Sequence, residues 1–116
     1  MYKPLLMLLA LAWLIGAMPS SLADDAIQLS ISGRQFVPQS LALPAGKKVR
    51  ITVHNQDKLP AEFESYDLSR EIVVPPGAKV SLYVGPLNPG KYAFFDDFNP
   101  QAKGEILVQA DSGDTP

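Results

Sequence analysis

The chain has 116 residues, a formal net charge of −2 and no cysteine. That length supports one domain around one core, and a near-balanced charge without a basic cluster excludes a phosphate backbone as partner. Lacking cysteine, the chain has no disulfide staple, no thiol nucleophile and no copper–thiolate centre, so apolar packing or a bound metal must hold it together.

Residues 1–23 read as a secretory signal peptide: Lys3 is the charged start, an apolar run extends from Leu5 to Met18, and Ser21-Leu22-Ala23 supplies small residues for cleavage. Gly16 and Pro19 interrupt the run, which falls short of the roughly 20 residues that span a bilayer. Cleavage leaves Asp24 to Pro116 and removes Trp13 and all three methionines. It also leaves nine basic against twelve acidic side chains.

In the mature chain Ile27, Leu29 and Ile31 alternate with Gln28, Ser30 and Ser32, the two-residue period of a half-buried strand. A short apolar stretch follows at Leu41 to Leu43. The alternation returns at Val49, Ile51 and Val53 against Arg50, Thr52 and His54, and at Val80, Leu82 and Val84 against Lys79, Ser81 and Tyr83. Glu71 to Val74, Tyr92 to Phe95 and Ile106 to Val108 make up seven strands, with the segment around Phe63 as an eighth. Pro44-Ala45-Gly46, Pro75-Pro76-Gly77 and Asn88-Pro89-Gly90 each precede a strand, with proline fixing φ and glycine accepting a positive one. No window carries a helical period and no segment repeats. The pattern predicts an all-β Greek-key sandwich or barrel of seven or eight strands over residues 24–109, followed by a small, polar tail at 110–116 with nothing to anchor it.

Few residues offer chemistry. His54, the single histidine, shares strand parity with Arg50 and Thr52 and is expected on the wet face. No serine has an aligned histidine base, which removes a catalytic triad. Glu62-Phe63-Glu64 places two carboxylates two residues apart. In an extended strand their β-carbons stand roughly 7 Å apart on one face, close enough to bracket a cation, although the same pattern describes an ordinary polar face. A second acidic pair, Asp96-Asp97, sits among Tyr92, Phe94, Phe95 and Phe98. Such a loop either uses its carboxylates as turn caps or packs down so that they meet a cation, a basic side chain or water.

Phe36-Val37-Pro38, Pro44-Ala45-Gly46 leading into Val49 to Asn55, and Asn88-Pro89-Gly90-Lys91-Tyr92 resemble the strand and turn pattern of the cupredoxin family over nearly the whole mature chain. Asn55 to Ser65 with Glu71, Pro76-Gly77, Gly85-Pro86-Leu87 and Phe94 to Gly104 are more similar still to the cupredoxin-like domains of bacterial iron-uptake systems, the EfeO-type and FtrB-type proteins. The resemblance implies a periplasmic protein that binds iron or copper and assists ferrous oxidation or delivery to an iron permease. It places Glu62 where ordinary cupredoxins carry their first histidine ligand, and Asp97 at an acidic position of the loop before the last strand. Asn99 stands where FtrB-type relatives have histidine, so a strong ligand is replaced by a carbonyl oxygen suited to hard cations.

The resulting expectation is an iron site built from Glu62, Glu64 and Asp97 with Asn99 as auxiliary; copper(II) would compete. Ferrous oxidation would require a partner as electron acceptor. The alternative is a metal-free periplasmic binding or scaffolding sandwich, in which Asn99 in place of histidine marks a lost site; it is favoured by that asparagine and by an outward Glu62-Glu64 pair that meets Arg70 or Lys58 instead.

Overall fold

The computed structural model describes residues 26–110; the expected signal peptide at 1–23 and tail residues 111–116 lie outside the described residues. Nine strands follow in order: β1 (Ile27–Ser32), β2 (Gln35–Val37), β3 (Ser40–Pro44), β4 (Val49–Asn55), β5 (Ala61–Ser65), β6 (Arg70–Val74), β7 (Lys79–Val84), β8 (Gly90–Asp96) and β9 (Asn99–Gln109). They form a four-stranded sheet in the order β2-β1-β4-β7 and a five-stranded sheet in the order β3-β9-β8-β5-β6. The pairs β1/β4 and β3/β9 are parallel and the remaining pairs antiparallel. No helix occurs among the described residues.

The all-β architecture follows from the alternation. Leu29, Ile31, Ile51, Val53, Leu82 and Val84 are buried from the first sheet, and Leu41, Leu43, Phe63, Val74, Phe94, Ile106 and Val108 from the second, forming one core between them. Gly46 (φ 73°) and Gly77 (φ 74°) turn the chain before β4 and β7, in the left-handed region that glycine enters without a Cβ penalty. Sequence pattern missed β2, whose three residues are too few to show a period. It exists because Gly33 and Arg34, both at φ 62°, reverse the chain. Asp57 holds that reversal, its carboxylate accepting the Gly33 N–H at 2.8 Å and the Arg34 N–H at 2.7 Å.

At the core centre, Phe94 packs edge-on to Phe36 (4.9 Å between ring centroids) and stacks with Phe63 (5.0 Å). This trio matters for function because it fixes which way β5 faces. With Phe63 turned inward, the alternation sends Glu62 and Glu64 to the outer face of the five-stranded sheet.

The Phe94 ring lies over Gly104: a Cβ there would stand 2.4 Å from the ring and 3.0 Å from the Gln39 carbonyl oxygen. Gly104→Ala is expected to cost about 1–3 kcal/mol by overpacking, lowering the thermal midpoint by roughly 5–20 °C. Adding Phe94→Leu should recover part of the loss, and a thermal-unfolding double-mutant cycle checks the coupling.

Candidate metal centre

The site is assembled where β5 meets the turn between β8 and β9. The Glu62 N–H donates to Asp96 Oδ1 at 2.9 Å, and the Phe98 N–H donates to the same oxygen at 2.9 Å. The Asp97 N–H then donates to the Glu62 carbonyl at 2.9 Å. A register irregularity between Phe95 and Asp96 lets these consecutive acids part ways. Asp96, 4% exposed, caps the turn from inside. Asp97 joins the outer face.

Glu62, Glu64 and Asp97 each present a carboxylate oxygen within 4.8 Å of the others, a spacing at which one cation can bridge all three. Three of the four residues expected from sequence therefore converge. The fourth, Asn99, pairs with Asp96 in the β8–β9 register, and its side-chain amide donates to the Arg34 carbonyl at 3.2 Å, tying the turn to the β1–β2 hairpin. His54 lies on the outer face of the other sheet, alongside Thr52, with Gln56 Nε2 3.4 Å from its Nδ1.

Sequence reading did not include Glu71 among the ligands. It stands directly opposite Glu64 in the β5–β6 register, and its side chain hydrogen-bonds Glu62. The signal lay in pairing rather than composition: β5 and β6 form a hairpin, so acids at matched positions meet.

Among the described residues, no ion pair reaches Glu62, Glu64, Glu71 or Asp97. Arg70, one position from Glu71, instead donates its Nε–H to the Tyr83 carbonyl at 3.0 Å and an Nη1–H to the Ser69 carbonyl at 3.1 Å. Lys58 forms no ion pair either. Glu62 is only 7% exposed. Burial, then the hydrogen bond that its acid form donates to Glu71, then the charges of Glu71, Asp97 and Glu64 push its pKa up from 4.5 to about 7. Glu64 moves in the same direction, through burial and the charges of Glu71 and Asp97.

The other described acids are all partnered. Asp57, Asp67 and Asp96 accept backbone N–H groups, and Glu105 lies 3.7 Å from the Lys91 ammonium. Four acids thus build the fold and four collect on one face.

A raised carboxyl pKa means that the folded state holds a proton which the unfolded chain has released. Stability contributed by Glu62 is therefore complete below about pH 4.5 and is lost as pH rises through about 7. In chelator, the wild-type thermal midpoint should fall between pH 5 and pH 8, and Glu62→Gln should flatten that slope. An unchanged slope in the variant would show that Glu62 does not titrate in this range.

Residues 5–108 match the family model described as a cupredoxin-like domain. An uncharacterized protein of Rickettsia prowazekii (strain Madrid E) is 40% identical over 83 residues, covering 71% of this chain and 66% of the relative, just under two thirds of its length. The fold is similar to amicyanin: a reduced single-site mutant gives a TM-score of 0.62 at 17% identity, covering 74% of this chain and 84% of that one. A purple cupredoxin from Nitrosopumilus maritimus gives 0.55 at 21% identity, covering 72% and 99%. One amicyanin mutant similar to this chain is in its Cu(I) form, with a TM-score of 0.61, 16% identity and coverage of 74% and 84%. A thiolate-and-imidazole copper centre does not fit the present residues, because there is no cysteine and His54 lies on the sheet opposite the carboxylates.

Proposed function

We propose that this chain, which belongs to the cupredoxin-like domain family, is an exported metal-binding protein of an iron-uptake system. In this reading it holds iron on the outer face of the five-stranded sheet through Glu62, Glu64 and Asp97. One observation carries the reading. Glu62 is a residue only 7% exposed whose carboxylate joins a group of acids that has no ion-pair partner among the described residues. Buried charges in folded proteins are paired, ligate metals or take up a proton, and in this reading a bound cation displaces the proton that Glu62 otherwise holds.

The donor set narrows the ion. Carboxylate oxygens are hard ligands that favour hard cations, and among iron states they favour ferric over ferrous. The absence of thiol and imidazole at the site removes what a cupredoxin would use to stabilise copper(I). Copper(II) still binds such oxygens in vitro, by the Irving–Williams order, so affinity and role must be judged separately. Electron transfer from ferrous iron would need an acceptor outside this chain, and delivery would need a permease; both belong to the iron-uptake reading that the sequence resemblance implies. Export to the periplasm rests on residues 1–23.

The reading disfavours a metal-free scaffold. Of the two features that favour that alternative, Asn99 is present, but pairing of Glu62 and Glu64 with Arg70 is not, since the Arg70 guanidinium donates to backbone carbonyls.

Calorimetric titration of the chelator-stripped protein with anaerobic iron(II), and separately with copper(II), tests the proposal. One ion per chain is expected for the wild type. Glu62→Gln combined with Asp97→Asn should weaken binding by at least 100-fold while unfolding stays cooperative. Absence of binding by the wild type, or binding indifferent to both changes, defeats the metal reading.

A further inference from the structure

The cross-strand position of Glu71 carries an inference about selectivity, which rests on the metal-site reading above. Cross-strand neighbours in an antiparallel pair stand about 5 Å apart at their β-carbons, and like charges placed directly opposite are destabilising. Glu64 and Glu71 occupy such a position, and Glu71, two residues from Val73 opposite Glu62, lies diagonal to Glu62 on the same face. Glu71 therefore reaches both carboxylates of β5 from the neighbouring strand. Asp97 approaches Glu62 and Glu64 from the β8–β9 turn. The fold does provide partners for acids with a structural role, as the two N–H groups on Asp96 show. Among the described residues it provides no ion-pair partner for Glu62, a residue only 7% exposed.

We infer that Glu71 is a fourth carboxylate ligand, and that its charge makes the site select trivalent over divalent cations. Three carboxylates balance a trivalent ion and already exceed a divalent one. A fourth adds attraction in proportion to the charge of the ion, so its contribution to binding free energy stands at three to two in favour of the trivalent ion. Selection is then by charge rather than by cavity size, as befits a site on a sheet face instead of inside a closed cage.

Terbium(III) and calcium(II) test this, being redox-inert, oxygen-seeking and of nearly equal radius, so that charge is the main difference between them. The protein expressed from the full-length chain is titrated calorimetrically with each ion. Wild type should prefer terbium. Glu71→Gln should weaken calcium by about 30-fold and terbium by about 150-fold, the three-to-two ratio on a logarithmic scale. It should not lower the thermal midpoint without metal, since it removes a repulsion. Glu71→Asp, which keeps the charge, should retain most of the terbium preference. Glu105→Gln removes the same unit of charge from a partnered acid on the same sheet, and both affinities should stay within about 3-fold of wild type. Equal losses for the two ions, or no loss, in Glu71→Gln would overturn the role of Glu71 while leaving the three-carboxylate site standing. Failure of the wild type to bind either ion would overturn both.

Discussion

The Asp96 carboxylate is the contact on which the site depends. Buried in the β8–β9 turn, one of its oxygens accepts an N–H from β5 and another from the turn itself. The two bonds set the height at which the turn meets β5, and the Asp97 N–H bonded to the Glu62 carbonyl closes the arrangement. Asp97 has no freedom to swing away: its backbone is clamped beside Glu62, and the irregularity in the ladder aims its side chain outward. At the other end of β5, the Ser65 hydroxyl donates to the Ala93 carbonyl at 2.7 Å and accepts the Leu68 N–H at 3.1 Å, while Asp67 accepts the Ala93 N–H at 2.9 Å. Both ends of the acidic strand are thus pinned to β8, which fixes the backbone from which its carboxylates project.

That pinning explains how the fold tolerates its own repulsion. Four carboxylates without a cation oppose folding, and a well-packed core of aromatic and branched side chains must offset them. Phe36, Phe63 and Phe94 are each essentially fully buried and in mutual ring contact. Local rules broken at one place and obeyed elsewhere mark a functional position. The other described acids obey them, each meeting a backbone donor or a lysine.

Much of the architecture was legible in the sequence because it depends on a short-range period. The inward sets Leu29/Ile31, Ile51/Val53 and Leu82/Val84 are buried as the alternation requires, and His54 falls on the outer face for the same reason. The approach of Asp97 to Glu62 was legible only through resemblance, since 35 positions separate them and no local pattern links the two. The division of labour within Asp96-Asp97 was not legible at all. Adjacent residues in a regular strand face opposite sides, but which acid turns inward depends on a ladder irregularity that composition does not reveal. Glu71 escaped for a related reason: its partnership with Glu62 and Glu64 exists only once the β5–β6 register is known. Asn99 gained an employment the sequence did not show, its amide bonding across to Arg34.

The similarity to amicyanin is one of fold, and the distribution of charge over the two sheets differs sharply. Strands β1, β2, β4 and β7 contain no acidic residue, whereas β5 and β6 carry three. The four-stranded sheet instead presents Arg50, His54 and Lys79 along its strands. The outer face of the five-stranded sheet also carries Lys91 and Lys103, so the negative charge gathers at its β5–β6 end, with an apolar core about 10 Å thick behind it. Such an arrangement focuses field lines outward and raises the local concentration of cations at the carboxylates. A thiolate site buried under loops selects its ion by softness and enforced geometry. Carboxylates spread over a sheet face cannot enforce geometry in that way, so in the proposed metal site charge and hardness would be the properties that decide among ions.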